Sequence, residues 1–325
     1  SPESNYHMIA FCWQDNWIIL DVFHGMTDGT GAYEVVRTLL YYYCSGRYHV
    51  ELREEGIRLV GDEITSEEWD DPVANRTDLP TPPHNEMPNA LKLVAMAGLE
   101  EDRQPTVYSI AIDESEFMGF TRDVDGSPGT TIALLFSRAI AKMYPDAQDT
   151  IRISLCVNQR PAFHAPLAHQ SLVGGAMLEY KEKMRSWPID RQATVFRGMV
   201  FAQTQEEVVL EGVSNLRGLT QLLLSKESDQ ERVAIAEMVT GMGRSVASAT
   251  VSYVGKANFG EAEDYIRDFR LWTLSSTDII IEISAVNGRF TLDFIQLFSD
   301  ATYLEAFLRE LEENDIEYDL QDACE

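Results

Sequence analysis

The chain is predicted to fold as a mixed α/β (α+β) protein of two lobes, and three features of the sequence carry that expectation. Its 325 residues exceed an average domain, and 45% hydrophobic with 10% aromatic residues suffice for a sizeable core. Strand-like and helix-like segments follow one another as hairpins and long crossovers, without the regular β-α-β alternation of a doubly wound sheet or a TIM barrel. The pair Asn287-Gly288 between two apolar runs is the strongest hairpin signal in the chain.

From Tyr6 to Phe23 two short apolar, aromatic runs, YHMIAFCW and WIILDVF, are divided by Gln-Asp-Asn, which predicts a hairpin. In the second run Ile18, Leu20, Val22 and His24 share one face by the period of two. After TDGTG, the residues Ala32, Val35, Val36, Leu39, Leu40 and Tyr43 recur at helical spacing, so a helix of about three turns is expected before Ser45-Gly46 ends it. Asp70 to Asn89 is dense in proline and polar residues and reads as a long connection. PTVYSIAID predicts a strand entering the second half, and SPGTTIALLFSRAIAKM a strongly amphipathic helix. TIRISLCVNQRP follows as a strand and HQSLVGGAM as a glycine-containing loop. Long helices are expected from about Arg191 to Leu210 and from Asn215 to Met238. Strands are then expected at SVASATVSYVG, FRLWTL and DIIIEISAVNGRFTLDFIQL, with a last helix from about Asp300 to Glu313. The division this suggests is an N-terminal lobe over 1–112 and a C-terminal lobe over 113–325.

The 53 acidic against 26 basic residues give a formal charge of −27. Such a surface repels a phosphate backbone and an anionic membrane alike, so neither nucleic acid nor a membrane is expected as a partner. Acidity of this kind is ordinarily a solubility feature. Cys12, Cys44, Cys156 and Cys324 show no paired spacing, which argues against disulfides and a zinc site. His164 and His169 lie in a loop without a nearby Asp or Glu, so no metal is expected. The glycine-rich pieces DGTG and VTGMGRS fail the phosphate-loop spacings. No apolar stretch reaches the length of a membrane span and no leader pattern opens the chain, so a cytoplasmic location is expected.

One stretch carries chemistry. In DVFHGMTDGTGAYEVV, Asp21 to Val36, a histidine leaves the end of a strand four residues before an Asp-Gly pair, and an amphipathic helix follows. A lone histidine on an apolar strand face is ordinarily a satisfied core residue. At a strand end, however, the backbone is held rigid while the side chain can face a cleft. Asp28 also reads as a plain helix N-cap.

With this motif the sequence resembles the CoA-dependent acyltransferase superfamily, which includes chloramphenicol acetyltransferase, plant and alcohol acyltransferases, and the condensation domains of peptide synthetases. Their shared motif is His-His-x-x-x-Asp-Gly, and here it reads FHGMTDG. The order of VNQRP, LVGGAM, VSYVG, VNGRFTLDF and ATYLEAFLREL also matches the second half of those proteins. Phe23 stands where the family usually has its first, supporting histidine, and ANFGE at Ala257 to Glu261 is at best a remnant of the Asp-Phe-Gly-x-Gly motif. Family members carry more strands before the histidine turn, so the resemblance implies a two-lobed chloramphenicol acetyltransferase-like sandwich whose first lobe is incomplete. A second chain or an N-terminal segment outside this sequence is expected to complete it.

The resemblance implies an acyl group moving from an acyl-CoA co-substrate, or a carrier thioester, to a small-molecule alcohol or amine, by direct attack in a tunnel between the lobes. An imidazole, with a reference pKa of about 6.5, is a suitable base at neutral pH, and His24 is expected in that role. Asp28 is expected to ion-pair with an arginine, with Arg160 and Arg37 as candidates, and Gly29 to permit the tight backbone. Asn158, Ser252 and Tyr253 are candidates for contacting substrate or the oxyanion, as is Arg160 for substrate. Two other readings stay open: a catalytically silent relative used for binding or assembly, and a condensation-type domain fed by carrier proteins.

Overall fold

The computed structural model of the chain describes residues 7–74, 76, 79–81, 87–100 and 104–321. Tyr6, Cys324 and part of the proline-rich connection lie outside these residues.

β1 (Ile9–Gln14) and β2 (Trp17–Val22) pair antiparallel around Asp15 and Asn16, with Asp15 in the left-handed region at φ 51°. Ile18, Leu20 and Val22 are half-buried while Ile19 and Asp21 are exposed, so the period of two holds. Among the described residues the hairpin pairs with no third strand, and Phe11, Trp13 and Ile19 lie on its exposed surface. α1 (Gly29–Tyr48) does not stop at Ser45-Gly46 but runs through it to His49, which ends the helix at φ 56°. Buried Cys44 and the Tyr48 ring, stacked on Tyr265 at 4.5 Å, hold the additional turn. An interior glycine costs a helix only about 1 kcal/mol, which such contacts outweigh.

The short helices α2 (Ser66–Trp69) and α3 (Leu93–Ala97) precede β3 (Thr106–Asp113), α4 (Glu114–Asp123) and α5 (Pro128–Met143). Next come β4 (Ile151–Asn158), the single turn α6 (Arg160–Phe163) and β5 (Val173–Tyr180). β5 contains the glycines expected in a loop: Gly174 and Gly175 pair with Val157 and Cys156. A Cβ on Gly175 would lie 2.8 Å from Ser154 Oγ, so the missing side chain lets β5 close onto β4. Where two long helices were expected there are three, α7 (Ile189–Gln203), α8 (Glu206–Leu224) and α9 (Asp229–Val246). Thr204 ends the first by turning its hydroxyl back onto the Val200 carbonyl at 3.0 Å.

β6 (Ala249–Tyr253), β7 (Ile279–Val286), β8 (Arg289–Gln296), α10 (Thr302–Glu312) and β9 (Asp319–Gln321) complete the order. Asn287 and Gly288 take φ values of 49° and 78° and turn β7 into β8. The expected strand FRLWTL is not one. Phe269 to Leu274 is irregular and lies over the face of the sheet, where the Ser284 hydroxyl donates to the Phe269 carbonyl and the Thr273 hydroxyl donates to Glu282. A segment crossing a sheet face cannot join its edge ladder.

The large sheet has the order β5-β4-β6-β7-β8-β3-β9, parallel at β4-β6-β7 and antiparallel elsewhere. One face is apolar: Ile153, Val251, Ile281, Ile283, Leu292 and Phe294 enter a core shared with α5, α7 and α10. That enclosure buries α5 on nearly every side, well beyond the single stripe of an amphipathic helix. By the period of two the opposite face is polar, carrying Cys156 and Asn158 on β4, Thr250 and Ser252 on β6, Glu282 and Ser284 on β7, and Thr291 and Asp293 on β8. Burying so many polar groups is costly unless each finds a partner. The candidate site lies against this face.

Candidate active site

The residues between β2 and α1 form a fixed turn. Phe23 N–H donates to the Met8 carbonyl at 2.8 Å, which carries the hairpin pairing one step past β2. Met26 N–H donates to the Phe23 carbonyl at 2.9 Å and closes the turn around His24. His24 is exposed rather than packed in a core, and it lies on the rim of a cavity of about 200 Å³.

Asp28 anchors the turn from beneath. As the N-cap of α1 it accepts the Gly31 N–H through Oδ1 at 3.1 Å. The same carboxylate forms a bidentate pair with Arg160, with Nη1 to Oδ2 at 2.8 Å and Nη2 to Oδ1 at 2.9 Å, and takes the Leu172 N–H at 2.8 Å. Of the two candidate arginines Arg160 is thus the partner; Arg37 reaches Glu34 and the Gly56 carbonyl instead. Arg160 also donates from Nε to the Ala168 carbonyl and from Nη2 to the Gln170 carbonyl, at 2.8 and 2.9 Å. Burial on its own would raise the Asp28 carboxyl, but the hydrogen bonds from Arg160, Leu172 and Gly31, with the guanidinium charge, hold it below the usual aspartate value. A buried pair this well satisfied contributes geometry more surely than net stability. It locks the start of α1 to the end of β4 and to the 168–172 loop.

Two glycines make the lock possible, by absence of a side chain rather than by backbone conformation. A Cβ on Gly29 would sit 2.5 Å from Val254 Cγ2, and one on Gly31 would sit 2.6 Å from the His169 carbonyl oxygen. That carbonyl already accepts the Thr27 hydroxyl at 2.6 Å.

His24, Asp28, Gly29, Asn158, Ser252 and Tyr253 all line the same cavity, whereas Arg160 is not part of the lining, is 3% exposed, and bonds to Asp28 and to the Ala168 and Gln170 carbonyls. The three oxyanion candidates differ in their surroundings. Asn158 accepts the Arg160 backbone N–H through Oδ1 at 3.0 Å, an interaction that uses its acceptor and not its Nδ2 donor. The Tyr253 ring leans on Phe290 at 5.8 Å, on the core side of the sheet, and burial followed by Glu114 pushes its phenol up to about 12. Ser252 lies on the polar face beside Glu282 and Cys156, where its hydroxyl eases the charged form of both. Burial and then the Glu282 charge push the Cys156 thiol up to about 12, so it stays a neutral thiol.

Glu282 was missed in the sequence reading. It is 3% exposed, sits in the middle of β7 and lines the cavity. Burial raises its carboxyl above the usual value, against the hydroxyls of Thr273 and Ser252 and the charge of His24. A lone charge inside the run IIIEISAV, Ile279 to Val286, is the signal that could have found it, since an acidic residue is almost never fully buried without a partner or a task. Among the described residues no group of His, Cys, Asp and Glu converges as a metal site, and His164 instead faces Glu206 at 3.4 Å. No helix among them is long and apolar enough to cross a membrane.

No protein-family model and no curated protein matches the sequence. Solved structures do match the fold. The F. sporotrichioides TRI101 protein, complexed with coenzyme A and T-2, aligns at 12% identity over 96% of this chain and 69% of that one, with a TM-score of 0.56. The epimerization domain from the third module of tyrocidine synthetase B aligns at 8% identity over 94% and 70%, with a TM-score of 0.52. The condensation domain from Monacolin K polyketide synthase MokA aligns at 12% identity over 94% and 71%, with a TM-score of 0.50. Identities this low speak to architecture alone. The chain therefore has the mixed α/β fold of the CoA-dependent acyltransferases and condensation domains.

Proposed function

We propose that the protein transfers an acyl group from a CoA thioester to a small-molecule alcohol or amine, with His24 as general base. The observation that carries this reading is the position of His24: an exposed imidazole on a hydrogen-bonded turn, on the lining of a cavity that the polar sheet face also lines. His24 takes the proton of the acceptor hydroxyl or amine as that atom attacks the thioester carbonyl carbon. The oxyanion that forms is met by a donor on the cavity lining, the Ser252 hydroxyl or the Asn158 Nδ2 amide. When the intermediate collapses the carbon–sulfur bond breaks, and the departing thiolate recovers the proton from the imidazolium. Asp28, Arg160 and Gly29 position the turn and touch no reacting atom.

Among the described residues no lysine or arginine lines the cavity. The thioester end of the donor fits such a lining, whereas its phosphates need contacts outside it. Phe23, 62% exposed where the resembling proteins usually carry a supporting histidine, favours a binding-only role as the second reading. The test is thiol release from acetyl-CoA over a panel of alcohols and amines. Acceptor-dependent release supports transfer. Acceptor binding without release over the whole panel would overturn it in favour of the binding-only role.

A further inference from the structure

The cavity holds two carboxylates in different electrostatic states. Asp28 is matched by Arg160 at hydrogen-bonding distance on both oxygens. Glu282, equally buried, has no lysine or arginine partner among the described residues. What faces it is the Thr273 hydroxyl, which donates to Oε1, the Ser252 hydroxyl, the Cys156 thiol, the Tyr33 phenol and the His24 imidazole. Thiol and phenol are both held neutral, in each case by burial first and then by Glu282 itself. The Tyr33 hydroxyl, moreover, is buried without a hydrogen-bond partner. The cavity thus carries one buried acidic group that no lysine or arginine among the described residues matches, with the His24 imidazole as the basic group beside it.

Desolvating a carboxylate is expensive unless a cation or several strong donors balance it. A structural carboxylate in the middle of an otherwise apolar strand would be expected to have an arginine, as Asp28 does. A ligand entering this cavity meets Glu282 on the same polar face as Ser252, with His24 also on the lining. A protonated amine supplies a matching charge and donates up to three hydrogen bonds in place of water. A carboxylate or phosphate on the ligand would be repelled. An ammonium group has no lone pair and cannot itself attack a thioester, so the group bound at Glu282 is separate from the nucleophile.

We infer that Glu282 is the recognition point for a cationic acceptor, an amino alcohol or diamine whose ammonium group is held at Glu282 while its hydroxyl or second, neutral amine is presented to His24. This rests on the acyl-transfer reading for the role of His24, but binding of the cation does not.

The experiment is calorimetric titration of the full chain, without thioester, with three probes of matched length: aminohexanol, hexanol and hydroxyhexanoate. In the unmodified protein the cation is expected to bind at least about tenfold more tightly than the neutral alcohol, the yield of one charge-assisted hydrogen bond, and the anion more weakly than either. Glu282→Gln is expected to bring the cation and alcohol to within about threefold of each other, while His24→Ala keeps the order of the three. Equal affinity for cation and alcohol in the unmodified protein would overturn the inference even if Glu282→Gln failed to fold. A preference for the cation that survives in a folded Glu282→Gln would overturn it as well. A cation preference combined with acyl transfer that survives His24→Ala would sink the catalytic reading and leave this one standing.

Discussion

Arg160 and Asp28 face each other through two parallel hydrogen bonds, at 2.8 and 2.9 Å, across 132 positions of sequence. The pair joins the N-cap of α1 to the first residue of α6, just past β4, and the turn bearing His24 hangs from it. Loss of one partner leaves a buried charge uncompensated. Asp28→Ala and Arg160→Ala are each expected to cost about 3–5 kcal/mol of unfolding free energy in urea, with the double variant costing clearly less than their sum. Arg160→Lys is expected not to restore the loss, because an ammonium cannot match both carboxylate oxygens. Additive single losses would show that the two residues act independently.

The same pair sets an acid limb on stability. The folded Asp28 carboxyl titrates below its ordinary value of 3.8, so over the range between the two values the unfolded chain binds more protons. Its contribution is complete above the ordinary value and is lost as pH falls through the folded one. Urea midpoints measured from about pH 7 down to about pH 3 are expected to fall less steeply for Asp28→Asn than for the unmodified protein. Parallel curves would remove Asp28 from the acid response.

Gly29 and Gly31 offer a test that leaves charge untouched. Gly31→Ala brings a methyl against the His169 carbonyl and Gly29→Ala against Val254, while both backbones lie where alanine is allowed. Alanine should favour the helix by propensity, so any loss reports the close approach. Gly31→Ala is expected to cost about 1–3 kcal/mol, and Gly29→Ala less, since a Val254 side chain yields more readily than a backbone carbonyl. A stabilised Gly31→Ala would contradict the packing described.

Much of this was legible in the sequence, and the remainder was hidden for physical reasons. The hairpin ahead of His24, the Asp28 cap and the Asn287-Gly288 turn rest on local chemistry, which a short window of sequence contains. Arg160 could be named only as one of two candidates, because an ion pair spanning 132 positions leaves no local trace. The segment Phe269 to Leu274 has the composition of a strand, but its hydrogen bonds go to side chains on the sheet face beneath it. Glu282 is the instructive miss. Alternation in β6, β7 and β8 puts Thr250, Ser252, Glu282, Ser284, Thr291 and Asp293 on one side, a pattern present in the sequence but masked by the apolar residues between them.

Ser252→Ala separates oxyanion stabilisation from framework. Transfer is expected to fall about 10²- to 10³-fold with melting temperature and thioester affinity near the unmodified values. Tyr253→Phe, whose ring packs toward Phe290, is expected to change the rate little. The reverse ranking would move the oxyanion contact to Tyr253.

The central claim is that the His24 imidazole does the proton transfer, and His24→Ala tests it most directly. With acetyl-CoA and the acceptor giving the fastest thiol release in the unmodified protein, the variant is expected to lose about 10²- to 10⁴-fold in rate. Its melting temperature should hold, because His24 is exposed and packs in no core. A folded His24→Ala protein releasing thiol at the unmodified rate would contradict the account.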